Sequence, residues 1–150
     1  MRKILSILIA LVTFAGIADA QISIKKSDFD KGKQVATLTM SWSWIYQDGD
    51  GYFIEMKSDN QYDDHFLLHL GKTKDECVES LNSLLELADT IGETDRFNID
   101  NGAGEVFDVT QYKAMGMKGL RFHGEGYAGK SYLTPNNLNK ALKWIQKNVK

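Results

Sequence analysis

Over residues 35–46 the chain alternates: Ala36, Leu38, Met40, Trp42, Trp44 and Tyr46 are apolar or aromatic, with Thr37, Thr39, Ser41 and Ser43 between them. A period of two sends successive side chains to opposite faces of a strand, so the stretch predicts one long strand with an aromatic inner face and a hydroxyl outer face. Asp48-Gly49-Asp50-Gly51 follows. Asp-Gly pairs tolerate the positive φ of tight turns, which predicts a hairpin into a second strand over 52–57. A third strand is expected over 65–70, with Phe66, Leu68 and Leu70 on one face.

The period changes at Thr73. Cys77, Val78, Leu81, Leu84, Leu85, Ala88 and Ile91 fall at steps of three and four, the stripe of a helix with one buried face. Thr73 and Glu76 have the spacing of a capping box, and Asp75 and Glu76 complement the positive end of the helix dipole. Gly92 is expected to close the helix as a left-handed residue just past its end. Beyond a polar connection over 93–104, with a short extended piece around 97–99, strand patterns return over 106–112, 120–123 and 130–133. Glycines 116, 119, 124, 126 and 129 punctuate this part and predict a bend or bulge. Thr134 and Pro135 pair as cap and first-turn residue. Leu138, Ala141, Leu142, Ile145 and Val149 then trace a second amphipathic helix, with Lys140, Lys143, Lys147 and Lys150 off the stripe or at its negative end.

These elements predict an α+β fold: a two-layer sandwich of one antiparallel sheet of about five strands, with two helices packed on one face, in the order βββ-α-ββ(β)-α. The expected core is Leu38, Met40, Trp42, Trp44, Ile54, Phe66, Leu68, Leu81, Leu84, Leu85, Leu120, Phe122, Leu142 and Ile145. No internal repeat or linker is visible, so residues 21–150 read as a single domain.

The first twenty residues change the picture. Met1-Arg2-Lys3, an apolar run over 4–14, and Ala18-Asp19-Ala20 have the form of a secretory signal peptide. The apolar run is short for a membrane span. Export to a bacterial periplasm or the cell exterior is expected, with no stable membrane anchor after cleavage. The formal charge of −2 becomes −3 once two positives, Arg2 and Lys3, and one negative, Asp19, are removed. A mildly acidic globule carries no nucleic-acid footprint. Cys77 is the only cysteine, so no internal disulfide can form; its place on the helix stripe predicts a buried, inert thiol.

Several positions could carry chemistry or simply pack. Residues 124–131, Gly-Glu-Gly-Tyr-Ala-Gly-Lys-Ser, satisfy the phosphate-loop pattern G-x-x-x-x-G-K-[ST] letter for letter. Such a loop works because a helix starts at its lysine and aims free amides at the phosphates. Here the helix signal comes several residues later, which predicts a Gly-rich hairpin instead. Asp48 and Asp50 match only the opening of a calcium loop. His65 and His69, four apart in a strand, lie roughly 13 Å apart by strand rise and cannot share an ion. Arg121, His123 and Glu125 share a period-two face that points away from the core, with His69 on a similar face of its own strand. Tyr127, Tyr132 and Trp144 could line a groove near the Gly-rich bend or simply pack.

The leading expectation is a small exported binding or protein-interaction module, non-enzymatic and without a cofactor. Its partner is an unidentified protein or small ligand, not nucleic acid, and its contact surface is the polar sheet face or the Gly-rich bend. The alternative is a metal-assisted or acid/base hydrolase using His123, Glu125, Arg121 and His69. A structural subunit pairing through the hydroxyl strand is a third reading.

Overall fold

The computed structural model describes residues 32–49, 51–102 and 104–150; the expected signal peptide, residues 21–31, Asp50 and Ala103 lie outside the described residues. The chain runs β1 (Lys33–Thr39), β2 (Ser43–Asp48), β3 (Gly51–Met56), β4 (Phe66–Gly71) and α1 (Lys74–Thr90). It continues with β5 (Arg96–Asp100), β6 (Val106–Ala114), β7 (Met117–Gly124), β8 (Ser131–Leu133) and α2 (Pro135–Asn148). The fold is α+β, but its strands form two four-stranded antiparallel sheets, β1-β2-β3-β4 and β5-β6-β7-β8, in place of a single sheet of five. Four strands and a helix thus occur twice in succession.

Both helices start as their sequences dictate. The Glu76 amide donates to the Thr73 hydroxyl, while the Glu76 carboxylate accepts the amides of Thr73 and Lys72 at 3.1 and 2.7 Å. Those two amides hold the Glu76 carboxyl below its ordinary range. Thr134 and Asn137 repeat the arrangement ahead of α2, with Pro135 in its first turn. The C-terminus of α1 departs from expectation. Ile91 caps it, donating to the Leu87 carbonyl at 2.9 Å, and the Gly92 amide goes to Asp95 Oδ2 at 2.8 Å. With both amides satisfied, no left-handed residue is needed, and Gly92 does not adopt that conformation.

The largest correction concerns the long alternating strand. The chain reverses at residues 40–42, where Ser41 sits at φ 61° and the Trp42 amide donates to the Thr39 carbonyl at 3.1 Å. What read as one strand is the hairpin β1–β2. After the reversal the phase has slipped by one, so Ser43 and Ile45 are fully buried, Trp42 and Trp44 are only half-buried, and Met40 is 86% exposed. A one-residue slip exchanges the two faces of a strand. Met40, Trp42 and Trp44 therefore leave the expected core.

The remaining expected core residues form one apolar cluster with Ile45, Phe107, Val109, Leu133, Leu138 and Ala141, with Leu85 and Leu142 partly buried at its margin. Both sheets and both helices contribute. Phe66 of β4 meets Phe107 of β6 with ring centroids 5.3 Å apart and Tyr127 at 4.3 Å. The helices pack on each other, α1 also on β4 and β7, and α2 on β1. Cys77 is buried here, and burial pushes its thiol up to about 11. Among the described residues no helix is long and apolar enough to cross a membrane.

Candidate functional site

Strand pairing lays Arg96, Thr110, Arg121 and Tyr132 in one row across the second sheet, and Asn98, Asp108 and His123 in the next. They alternate with the buried Phe107, Val109, Leu120 and Phe122, so they occupy the face turned away from the core. Tyr112 adds a ring to this face. The Arg121 guanidinium carbon lies 5.9 Å from the centroid of Tyr132. Tyr132 in turn packs against Tyr112 at 4.6 Å and against Trp42 at 6.3 Å, the latter pair stacked with 23° between planes.

Trp42 reaches this face because of the reversal that removed it from the core. The Lys57 amide donates to the Trp42 carbonyl at 2.8 Å, fixing the turn of the first sheet against the start of the β3–β4 connection. That connection also supplies Asp59, whose Oδ2 accepts the Tyr132 hydroxyl at 3.0 Å. Burial, then the bond to Asp59, raise the Tyr132 phenol above its ordinary range, so it remains a neutral donor. Arg121 is different. Among the described residues its buried Nε has no hydrogen-bond partner and the guanidinium enters no ion pair. A cation with no ion-pair partner among the described residues, lying over Tyr132 with Tyr112 and Trp42 packed against that ring, suits an anionic group attached to a flat apolar body.

The Gly-rich segment is the connection between β7 and β8, and α2 begins only at Pro135, four residues after Ser131. Its amides do face an anion, supplied by the same chain. Gly129 and Ala128 donate to the two carboxylate oxygens of Asp63 at 2.7 and 3.1 Å, and Lys130 donates to Asp59 Oδ1 at 2.6 Å. The return bond runs from the Asp59 amide to the Lys130 carbonyl at 2.9 Å. Position 129 has to be glycine, since a Cβ there would collide with Ser58 Oγ, Asp59 Oδ1 and the Asn60 amide. Desolvation raises the Asp63 carboxyl, but the Gly129 amide, the Ser58 hydroxyl, the Ala128 amide and the nearby His123 together outweigh it. The net position is below the ordinary range.

The other sequence candidates are dispersed. His123 shares the outer face with Arg121. Glu125 lies beyond the end of β7, exposed, and lines a separate recess of about 350 Å3 with Glu105, Phe107 and Tyr127. His69 belongs to β4 of the first sheet, its ring 4.7 Å from Phe53 and its Nε2 buried without a partner among the described residues. His65 contacts Glu55 Oε1 at 2.6 Å and stacks on Trp44. Asp48 ends β2 opposite Gly51, and Asp50 lies outside the described residues. Among the described residues no three His, Cys, Asp or Glu side chains gather as a metal site requires. Of the three aromatic residues near the bend, Tyr127 packs on Phe66 and Trp144 against Tyr52, leaving Tyr132 on the outer face.

Sequence reasoning missed Trp42 and Tyr112 as surface residues. Tyr112 is in phase with Thr110 along β6 and could have been placed there by period alone. A second recess, about 460 Å3, opens between β4, α1 and β5, with Leu68, Leu84, Leu87 and Ile99 as its apolar walls and Glu79 and Asp100 among its polar lining. Compared with known proteins, the chain matches no family model, no curated protein and no solved structure.

Proposed function

We propose that the protein is an exported, non-enzymatic binding module whose contact surface is the outer face of the second sheet. Arg121 is the anchor, and Trp42, Tyr112 and Tyr132 form the platform. The observation that carries this reading is the half-buried Arg121: among the described residues it enters no ion pair and its Nε has no hydrogen-bond partner, and it lies over Tyr132. Keeping a guanidinium partly desolvated and unpaired costs free energy that an incoming anion returns. The preferred partner is a protein segment or small ligand that presents a carboxylate beside a flat apolar group. The Gly-rich bend is not part of this surface, because Asp59 and Asp63 already occupy its amides. The separation of Glu125 and His69 from Arg121 and His123 supports binding over hydrolysis, which needs its acid and base within reach of one substrate atom.

Benzoate, which joins a ring to a carboxylate, is a suitable probe. Titrated into the labelled protein, it should move the Arg121 Nε–H resonance and the ring signals of Trp42, Tyr112 and Tyr132, and Arg121→Met should abolish the shifts. Unmoved Arg121 signals at saturation of the probe's solubility, or equal shifts in the variant, would overturn the assignment.

A further inference from the structure

β5 is an edge strand, charged only at its two ends, Arg96 and Asp100. Sheet edges are ordinarily protected by charge, proline, a bulge or a cover, because an open ladder recruits other strands. Here the five residues Arg96-Phe97-Asn98-Ile99-Asp100 form a regular ladder with β6, every one at least partly exposed, and Phe97 is 42% exposed. β4 lies beside the far end of β5: the His69 amide donates to the Asn101 carbonyl at 2.9 Å, and Leu68 and His69 line one recess with Ile99 and Asp100.

The pattern is self-complementary. When two copies of this strand lie antiparallel about Asn98, Arg96 of each stands opposite Asp100 of the other, on the outer face. On the inner face Phe97 of each stands opposite Ile99 of the other. Opposite charges and aromatic against β-branched are both favourable cross-strand pairs. Ile99 is also a wall of the second recess, so this register directs each Phe97 toward the apolar side chains of Leu68, Leu84 and Leu87 in its neighbour.

We propose that β5 is a homodimerisation edge, joining two copies about a two-fold axis at Asn98 into a continuous eight-stranded sheet, with Phe97 of each copy entering the recess of the other. A two-fold axis makes every contact occur twice, so one substitution changes two pairs. Reversing either charge turns two attractions into two repulsions. The inference rests on the β5 edge, with Arg96 and Asp100 on the same outer face as Arg121, while the ligand reading rests on Arg121 and its neighbouring rings; none of the β5 variants touches those residues, so the two fail separately.

Sedimentation of the purified protein over a concentration series should show a monomer–dimer equilibrium. Arg96→Asp and Asp100→Arg should each weaken it by about tenfold or more. The double variant R96D/D100R should restore it, because the pairing is rebuilt with signs exchanged. Asn98→Cys supplies a second measurement. Residues facing each other across an antiparallel pair have Cα atoms about 4.5–5.5 Å apart, within disulfide range, so this variant should form a covalent dimer on mild oxidation; Cys77 is buried and does not compete. A wild type that stays monomeric throughout, single variants that associate like wild type, an unrestored double variant, or an Asn98→Cys protein that does not cross-link would each overturn the proposal.

Discussion

Phe66 is the residue whose removal says most about the architecture. It belongs to the first sheet, is fully buried, and touches Phe107 of the second sheet and Tyr127 of the Gly-rich connection. Truncation to alanine removes a whole ring from a site that Phe107 and Tyr127 cannot easily refill, since both are fixed by their own strands and loops. Core Phe→Ala changes cost about 3–5 kcal/mol, of which the two ring contacts account for roughly 0.5–1.5 kcal/mol each. Against a total stability of about 5–15 kcal/mol, Phe66→Ala should remain folded at low temperature and lose roughly 10–20 °C in Tm. Urea unfolding followed by tryptophan fluorescence and by far-ultraviolet circular dichroism should give one coincident transition for both proteins, with the midpoint lowered. If the sheets were separately stable units, the substitution would split the transition and leave one half unaffected. That result, or a loss under about 1 kcal/mol, would refute the shared core.

The Asp63 clasp makes a prediction with a defined sign. Its folded carboxyl titrates below the ordinary 3.8, so the stability it contributes is complete above that value and is lost as pH falls through the lower folded value. The Gly129 amide resonance should follow a titration with its midpoint below 3.8, and Asp63→Ala should leave the Ala128 and Gly129 amides unprotected from hydrogen exchange even at neutral pH; unchanged protection would refute the clasp. Cys77, buried and pushed up to about 11, should resist a thiol-specific reagent in the native protein at neutral pH and react fully after unfolding. Rapid native labelling would contradict that placement.

Much of the local structure was legible because its causes are local. The Thr73–Glu76 capping box, the stripe from Cys77 to Ile91 and the Thr134-Pro135 start each need only a few neighbouring residues, and each stands where the sequence puts it. The Asp48–Gly51 hairpin is likewise in place. The reversal at residues 40–42 escaped because Ser41 is its only turn-favouring residue, with no Gly, Pro, Asn or Asp beside it, and the alternation runs straight through it. Its backbone is held partly by Lys57, fifteen residues away, which no local pattern reports. The division into two sheets was hidden for a related reason: β5 is exposed on nearly every residue, and its alternation rests on Phe97 and Ile99 alone, enough for a short extended piece but not to show which sheet it joins. As for the candidate surface, the phase of Arg121 and His123 was readable, while the ring cluster around Tyr132 was not. Trp42 comes from the misread turn, and Tyr132 is set by Asp59, seventy-three positions earlier.

The pairing of Asp63 with the Gly-rich connection has a further consequence for any mobile anion offered to the chain. A tethered carboxylate competes at an effective concentration on the order of millimolar, and it never diffuses away. Inorganic phosphate or a nucleotide would have to displace a competitor that is synthesised as part of the polypeptide. The motif that most resembles a receptor is therefore permanently antagonised from within, and its present use is as a buckle fastening residues 58–63 to residues 128–130.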